Sequence, residues 1–418
     1  MHPNALLELA TELLHRVLQL QHPADGVVSD FFRQHRTLGI RERHSLAETT
    51  YTVLRQRSLL RHLAQSGKGE MERRLAILAW QGNEGFLRAA LNETEQQWLA
   101  QVSTVDRAAL PEPLRHNLPE WLAEPLKAEF GDEFWPFVDC MNCAAPLDLR
   151  VNAFKAKRDE VQAAFKAEGI EALPTPFSPL GLRINSKPAL HKLDVFMRGD
   201  VEVQDEGSQL LALLVDAKRG EMVVDFCAGA GGKTLALGAA MRNTGRLYAF
   251  DTSGHRLASL KPRLARSGLS NVHPVQIAHE RDDRIKRLAG KIDRVLVDAP
   301  CSGLGTLRRN PDLKWRQSPQ TVQELVVKQA AILASAARLL KPGGRLVYAT
   351  CSLLASENET IVEAFNAGQR DFTPFPAAEV LARARIDQAG TLTQGDFLRL
   401  WPHRHATDGF FAAIWQRR

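Results

Sequence analysis

Two short apolar runs, each ending in a cysteine, constrain the fold of this 418-residue chain more than any other feature. The first run is followed by Asp298 and, three residues later, by Cys301, and the second run is followed by Cys351. Runs of this kind, rich in valine and leucine and flanked by turn residues, are typical of buried parallel strands. Between them, residues 321–340 have the spacing of an amphipathic helix. A strand, a crossover helix and a second strand form a right-handed unit, so both cysteines and Asp298 are expected in one crevice at the carboxyl edge of a sheet.

The length of the chain predicts more than one domain, because one hydrophobic core rarely serves so many residues. Residues 1–110 keep a helical period, which predicts an all-helical N-terminal domain. Prolines within residues 110–119 predict a linker. Residues 120–203 mix helices and strands, as in a small α+β module. Residues 204–418 alternate strands with helices, which predicts a doubly wound, Rossmann-like α/β domain.

Five parallel strands are expected in this last domain, and the two opening runs are the fourth and fifth of them. The first three are predicted at residues 222–226, 246–250 and 272–278. Two further apolar runs, at residues 397–401 and 410–415, predict an antiparallel hairpin on the edge of the sheet.

The charge balance permits a nucleic-acid partner without requiring one. The formal net charge of +6 is a mild basic excess. Arginines recur over residues 33–61, where a solvated helix face and an RNA-binding face explain the pattern equally well.

Cysteine usage and hydropathy predict a soluble cytoplasmic protein. The five cysteines follow no leader-like start, and no apolar run approaches the roughly 20 residues of a membrane span. Cys140 and Cys143 have the CxxC spacing, but no second ligand pair accompanies them. We therefore expect two buried helix thiols there and no metal. We also expect no membrane partner and a monomeric chain.

The loop after the first strand of the α/β domain predicts a nucleoside cofactor. A phosphate-binding P-loop requires glycine where Cys227 stands, and the dinucleotide pattern requires glycine where Thr234 stands. The spacing instead resembles the cofactor loop of class I S-adenosylmethionine methyltransferases, in which glycines allow close approach of the backbone and a helix N-terminus receives a carboxylate. The expected cofactor contacts in this loop are Cys227, Ala228, Gly229, Ala230, Gly231, Gly232 and Lys233.

Asp251 ends the second predicted strand, where a carboxylate can accept hydrogen bonds from both ribose hydroxyls of a nucleoside. The alternative role for this side chain is that of a helix N-cap.

A pair of thiols suits a methyl acceptor that is a poor nucleophile, such as carbon 5 of a pyrimidine. Addition of a thiolate to C6 makes C5 nucleophilic, and a base must then remove the C5 proton so that the thiol can leave. One cysteine alone would be interpreted as a small buried hydrophobe. Two of them at adjoining strand ends, beside such a loop, favour chemistry.

These motifs resemble the Sun/Fmu-type RNA cytosine-5 methyltransferase family over about residues 115–418. The matching segments are residues 204–208, 225–234, 298–305, 308–315, 348–352 and 408–411. The resemblance implies that Cys351 attacks C6 and that Cys301 promotes proton removal and release. It also implies that Asp298 faces the N3 edge of the cytosine and contacts the cofactor, and that residues 120–203 form an RNA-recognition module.

The same family motif carries a basic segment. Arg308, Arg309 and Lys314 are expected to contact RNA phosphates, and the alternative for each is a surface charge cluster. The family usually has an aspartate after the third strand to meet the adenine amine. That residue has no obvious equivalent here, and Asp282 and His279 are the two candidates to replace it.

Residues 24–35 and 48–55 resemble the NusB-like helical extension of family members that act on the small ribosomal subunit. Residues 1–110 are therefore expected to bind RNA, and 16S rRNA is the expected substrate. A tRNA cytosine-5 methyltransferase remains an alternative. A second alternative is an RNA-binding assembly or antitermination factor that has lost activity, although both cysteines and Asp298 are retained. A DNA cytosine methyltransferase would leave Cys351 without a role.

Overall fold

A computed structural model describes residues 1–186 and 188–418 of the chain. The chain begins with ten helices, and the apolar faces of the first seven, such as Leu6, Leu7, Leu13 and Leu14 of the first helix, form one hydrophobic core. They are α1 (Pro3–Val17), α2 (Ala24–Gln34), α3 (Ile40–Arg55), α4 (Arg57–Ala64), α5 (Met71–Leu78), α6 (Glu84–Ala90), α7 (Glu93–Ser103), α8 (Glu112–His116), α9 (Glu120–Phe130) and α10 (Phe134–Met141).

A small α+β module follows the ten helices. Its elements are β1 (Leu147–Val151), α11 (Arg158–Ala167), β2 (Ala172–Pro174), β3 (Gly181–Ile184), α12 (Asp194–Met197) and β4 (Val201–Val203). The four strands form an antiparallel sheet in the order β2-β3-β1-β4. The sequence predicted β1, α11 and β3. It did not predict β2 and β4, because strands of three residues are too short to show a period.

The α/β domain completes the chain. Its elements are α13 (Glu206–Val215), β5 (Met222–Asp225), α14 (Gly232–Ala240), β6 (Arg246–Asp251), α15 (Gly254–Ser267), β7 (Val272–Gln276), α16 (Asp283–Lys286), β8 (Ile292–Asp298), α17 (Leu313–Arg316), α18 (Pro319–Ala337), β9 (Leu340–Thr350), α19 (Glu359–Gly368), β10 (Phe372–Pro374), α20 (Ala377–Arg383), β11 (Thr393–Gln394), β12 (Phe397–Leu400), α21 (Pro402–His405) and β13 (Phe410–Arg417).

The main sheet confirms the predicted Rossmann-like fold. Its order is β11-β12-β13-β9-β8-β5-β6-β7, and β10 pairs with β13. Strands β5 to β9 are all parallel to one another. The chain runs outward from β5 in one direction through β6 and β7 and then in the other through β8 and β9. A crevice is therefore expected at the carboxyl ends of β5 and β8, where the strand order reverses.

The C-terminal strands pair antiparallel, as predicted, but they are not confined to the edge of the sheet. Strand β13 lies between β12 and β9, with Phe411 opposite Thr350. Its side chains are buried from Phe410 to Trp415, because helices or loops cover both faces of an internal strand.

By internal contacts the chain divides into two compact units. The first contains residues 1–144 and 306–319, and the second contains residues 145–305 and 320–418. The first unit has 19 basic and 20 acidic residues, a net charge of −1, so the second unit carries a net charge of +7. Among the residues that the structure covers, no helix is both long and apolar enough to cross a membrane.

The predicted linker over residues 110–119 is instead structured. Pro111 precedes α8, and Pro113 lies in its first turn, where a missing N–H breaks no helical hydrogen bond. Asn117 ends the helix in a left-handed conformation and is 2% exposed. Its Oδ1 accepts a hydrogen bond from the N–H of Leu59, 3.1 Å away, which joins this stretch to α4.

The segment 306–319 leaves the α/β domain and packs within the first unit. Asp312 accepts a hydrogen bond from the N–H of Ala24, 3.2 Å away, and Trp315 Nε1 donates to the carbonyl of Leu54 at 2.7 Å. The guanidinium of Arg57 lies 5.3 Å from the centre of the Trp315 ring. These contacts make the segment a structural part of the helical unit.

Two of the three residues predicted to contact RNA phosphates are buried in this segment. Lys314 is 3% exposed, and its Nζ donates a hydrogen bond to the carbonyl of Arg55 at 2.8 Å. Arg308 is 6% exposed, and its carbonyl accepts a hydrogen bond from Arg55. A side chain buried in this way is not available to an RNA phosphate, so the predicted phosphate contact is wrong for both residues. Arg309 is half-buried, and its role remains a prediction.

Burial of Lys314 predicts an unusual dependence of stability on pH. Desolvation lowers its pKa to about 7, whereas the same group in an unfolded chain has a pKa of about 10.4. Between these values the unfolded chain binds more protons, so this group makes the fold more stable as pH rises. Relative to Lys314→Met, the wild type should gain more than about 1 kcal/mol of unfolding free energy between pH 7 and pH 10. Denaturant unfolding at several pH values measures this difference, and parallel curves would contradict it.

Candidate functional site

The centre of the site is a pair of thiols on neighbouring strands. Strands β8 and β9 pair in parallel, with Asp298 opposite Ala349. The N–H of Ala299 continues the pairing with the carbonyl of Ala349 at 2.8 Å, and both chains then turn out of the sheet. As a result the Sγ atoms of Cys301 and Cys351 lie 3.3 Å apart. The structure therefore brings together the two cysteines that the sequence predicted in one crevice.

The surroundings of Cys301 oppose its ionisation. The hydrogen bond with Cys351 and burial, together with the charges of Cys351 and Glu357, raise the pKa of the Cys301 thiol. Cys301 is therefore held as a neutral thiol beside Cys351 and can donate its hydrogen to that sulfur.

A salt bridge lies beside the thiol pair. Lys233 Nζ lies 2.7 Å from Asp298 Oδ2. Burial opposes a charged ammonium, but the charge and hydrogen bond of Asp298 outweigh that effect, and the charge of Cys351 adds to it, so the pKa of Lys233 is raised. Lys233 Nζ is also 5.7 Å from the centre of the Phe410 ring. The lysine thus connects the glycine loop, the end of β8 and β13.

The glycine loop joins β5 to α14 and is tied to the neighbouring strand. The N–H of Gly229 donates to Asp251 Oδ2 at 2.8 Å, and the N–H of Ser253 donates to Asp251 Oδ1 at 2.7 Å. Ser253, not Asp251, is the N-cap of α15. Gly231 has φ of +85°, and a Cβ at that position would lie 2.1 Å from Leu260. Only glycine fits this turn.

Three carboxyl groups act electrostatically on the Cys227 thiol of this loop. Burial and then the charges of Asp225, Asp298 and Asp251 raise the pKa of Cys227, so all three carboxyl groups lie close to that thiol. Burial also raises the pKa of Asp225 to about 7. Its Oδ2 accepts a hydrogen bond from Thr234 at 2.7 Å, while its Oδ1 is buried and has no partner among the described residues. An unmatched acceptor and a cluster of carboxylates fit a ligand with a cationic centre and N–H or O–H donors.

The two candidates for the missing adenine contact have other hydrogen bonds. Asp282 is the N-cap of α16 and accepts from the N–H groups of Arg284 and Ala278, both at 2.9 Å. His279 Nδ1 accepts from the N–H of Arg281 at 3.1 Å. Asp282 is therefore a capping residue.

The cysteines outside this site differ from the sequence prediction. Cys140 lies half-buried in α10, but Cys143 lies beyond the end of that helix and is exposed. Cys143 is therefore not a buried helix thiol. The helix ends at Met141, so Cys143 lies two residues beyond it.

Sequence reasoning missed the buried polar groups behind the thiols. Glu357, Ser302, Ser352 and Gln329 form a connected hydrogen-bond network. The one signal in the sequence was that serine follows each of the two cysteines.

Comparison with known families agrees with this geometry. The family model described as 16S rRNA methyltransferase RsmB/F matches residues 212–416. The model described as the RsmF/B-like ferredoxin-like domain matches residues 118–191. The second match confirms the small α+β module, although the contacts within the structure place the two helices before β1 in the helical unit.

Curated relatives have the same family name. A probable ribosomal RNA small subunit methyltransferase B from Synechocystis is 36% identical over 72% of this chain and 66% of its own length. A protein with the same name from Bacillus subtilis is 30% identical over 82% of this chain and 76% of its own length. The chain thus spans about two thirds to three quarters of these relatives.

Solved structures share the fold. The crystal structure of PH0851 matches with a TM-score of 0.83 and 26% sequence identity. The match covers 100% of this chain and 99% of the PH0851 chain. A methyltransferase homologue from Pyrococcus horikoshii has a TM-score of 0.63 and 26% identity and covers 75% of this chain and 100% of its own. The cofactor is S-adenosylmethionine, and the glycine loop, its carboxylates and Lys233 remain the predicted residues of the cofactor site. The chain belongs to the RsmB/F family of 16S rRNA methyltransferases.

Proposed function

We propose that this protein methylates carbon 5 of a cytosine in 16S rRNA through a covalent bond between Cys351 and C6 of the base. The observation that carries the proposal is the 3.3 Å separation of Cys351 and Cys301 beside the cofactor loop. Transfer to an amino group needs no thiol, whereas transfer to C5 requires a nucleophile at C6. The target base must leave its stack to reach the crevice, as in other base-modifying enzymes.

The first step uses Cys351 as the nucleophile. Its thiolate forms a bond to C6, and the electron pair of the C5–C6 double bond becomes available at C5. We assign Asp298 to the N3 edge of the ring, where the salt bridge to Lys233 orients its carboxyl group. Bound S-adenosylmethionine supplies a methyl group on a positively charged sulfonium. The carboxylates around the glycine loop hold a cation of this kind by charge complementarity.

The second step uses Cys301 as the base. The largest cause of its raised pKa is the hydrogen bond with Cys351. Once the Cys351 sulfur is bonded to C6, the hydrogen bond between the two sulfurs and the negative charge of Cys351 are lost. Cys301 then releases its proton to solvent more readily. The resulting thiolate takes the C5 proton, the C5–C6 double bond re-forms, and Cys351 leaves as a thiolate. The coupling between the sulfurs thus sets the order of the two steps.

The net charge of the second unit supports an RNA substrate, because phosphate contacts dominate protein–RNA affinity. The NusB-like role of residues 1–110 remains part of this proposal. So do the assignment to 16S rather than transfer RNA, the location in the cytoplasm and the monomeric state.

The thiol roles can be separated with a denaturing gel. Cys301→Ala, incubated with S-adenosylmethionine and 16S rRNA, should accumulate a protein–RNA adduct that survives denaturation, because the C5 proton is no longer removed. Cys351→Ala should form neither adduct nor methylated RNA, and Cys143→Ala, an exposed cysteine in the helical unit, should behave as wild type. A parallel reaction with tRNA compares the two substrates.

Three outcomes would change the proposal. An adduct formed by Cys351→Ala would reverse the two roles. Reaction with tRNA alone would favour the tRNA enzyme. If the wild type transfers no methyl group to either RNA, the chain is better described as an RNA-binding factor.

The assignment of the glycine loop to the cofactor can be tested by replacing one glycine with alanine. Gly231→Ala should weaken S-adenosylmethionine binding by about tenfold or more, since its Cβ would lie 2.1 Å from Leu260 and displace the loop. Gly220→Ala is the matched control. It has a similar φ of +79°, no atom lies within 4 Å of its Cβ, and it lies outside the loop. Calorimetric titration measures both, and equal affinities would contradict the assigned cofactor position.

A further inference from the structure

A buried carboxylate outside the predicted site connects the two cysteine loops. Glu357 lies after β9 and is fully buried. Its Oε1 accepts hydrogen bonds from the N–H of Ser302 at 2.8 Å and from Gln329 Nε2 at 2.9 Å. Its Oε2 accepts from the hydroxyls of Ser302 and Ser352. Because these serines directly follow Cys301 and Cys351, one side chain holds the residue next to each thiol.

Further hydrogen bonds extend this network to both sides of the cysteines. Gln329 Nε2 also donates to the carbonyl of Pro300 at 3.0 Å, directly before Cys301. Asn358 Nδ2 donates to the carbonyl of Ser352 at 3.1 Å. The Tyr348 hydroxyl donates to the carbonyl of Glu357 at 2.7 Å, which fixes the turn relative to β9. The positions of both thiols therefore depend on groups that meet at Glu357.

The chemistry of this position favours a carboxylate over a neutral side chain. Glu357 receives four donors, and an ionised carboxylate is acceptor-only, so it satisfies all of them at once. No lysine, arginine or histidine in the described ranges forms an ion pair with it. Burying a charge without a counter-ion costs free energy that a neutral side chain would avoid. A contribution to stability alone therefore does not explain a glutamate at this position. Its charge is also one of the causes that raise the pKa of Cys301.

We propose that Glu357 is the positioning residue of the thiol pair: through its hydrogen bonds to the residues that follow each thiol, it fixes the separation of Cys301 and Cys351. Its catalytic meaning rests on the proposed function, but its effect on the thiols can be measured without any RNA.

The direct test is alkylation of individual cysteines in Glu357→Gln. With iodoacetamide and peptide mass spectrometry, Cys301 should react several times faster than in wild type, and its pH profile should shift to lower pH. The titratable groups that act on the pair are Cys351, Glu357, Tyr348 and Lys233, and only one of them is changed. Exposed Cys143 is the internal standard, and Glu363→Gln, an exposed glutamate on α19, is the matched control.

A second measurement separates positioning from folding. In the Cys301→Ala background, Glu357→Gln should slow formation of the RNA adduct by about tenfold or more, while its S-adenosylmethionine affinity stays close to that of Glu363→Gln and the variant remains folded at the assay temperature. A parallel loss of affinity and unfolding temperature, with unchanged alkylation of Cys301, would reduce Glu357 to a structural residue and overturn the proposal.

If Glu357→Gln does not fold, Ser302→Ala and Ser352→Ala replace it, since each removes one hydroxyl donor. Each should change alkylation of the adjacent cysteine, and wild-type profiles in both would overturn the proposal. If the substitutions change thiol reactivity but the wild type methylates no RNA, the positioning role of Glu357 is retained and the proposed function is rejected.

Discussion

The parallel pairing of β8 with β9 is the interaction on which the rest of the site depends. It places Asp298 opposite Ala349 and lets both chains leave the sheet at the same level, so two thiols 50 residues apart in sequence lie 3.3 Å from each other. The side chains of these strands alternate between two cores, with Leu296 and Val347 in one and Val297 and Tyr348 in the other, so a shift by one residue would exchange two sets of different size and shape. The geometry of the thiol pair is thus a direct consequence of core packing.

Electrostatics then distinguishes the components of the site. The glycine loop brings Lys233 to Asp298 and places three carboxyl groups around Cys227. The thiol pair lies between this charged region and the buried carboxylate of Glu357. In such a site small changes in covalent state have large effects on proton affinity. In the proposed mechanism, the bond of Cys351 to C6 removes the largest of the effects that raise the pKa of Cys301, so that Cys301 can then act as the base.

Periodicity predicted the layers of the fold, and local motifs predicted the residues at strand ends. Cys301, Cys351, Asp251 and the glycine loop all follow buried strands, which explains why the sequence located them. Lys314 was assigned to the surface because charged side chains are seldom buried, and here the segment around it packs into a separate unit. Glu357 could not be predicted either, since its partners lie up to 55 residues away and have no period.

The most direct test of the account identifies the methylated atom. Unmethylated 16S rRNA is incubated with the protein and S-adenosylmethionine bearing a deuterated methyl group, then digested to nucleosides and analysed by liquid chromatography and mass spectrometry. The account predicts that the label appears in 5-methylcytidine with the wild type and is absent with Cys351→Ala. Label on the exocyclic amine of cytidine or on another nucleoside would contradict it, because neither product requires a thiol at C6.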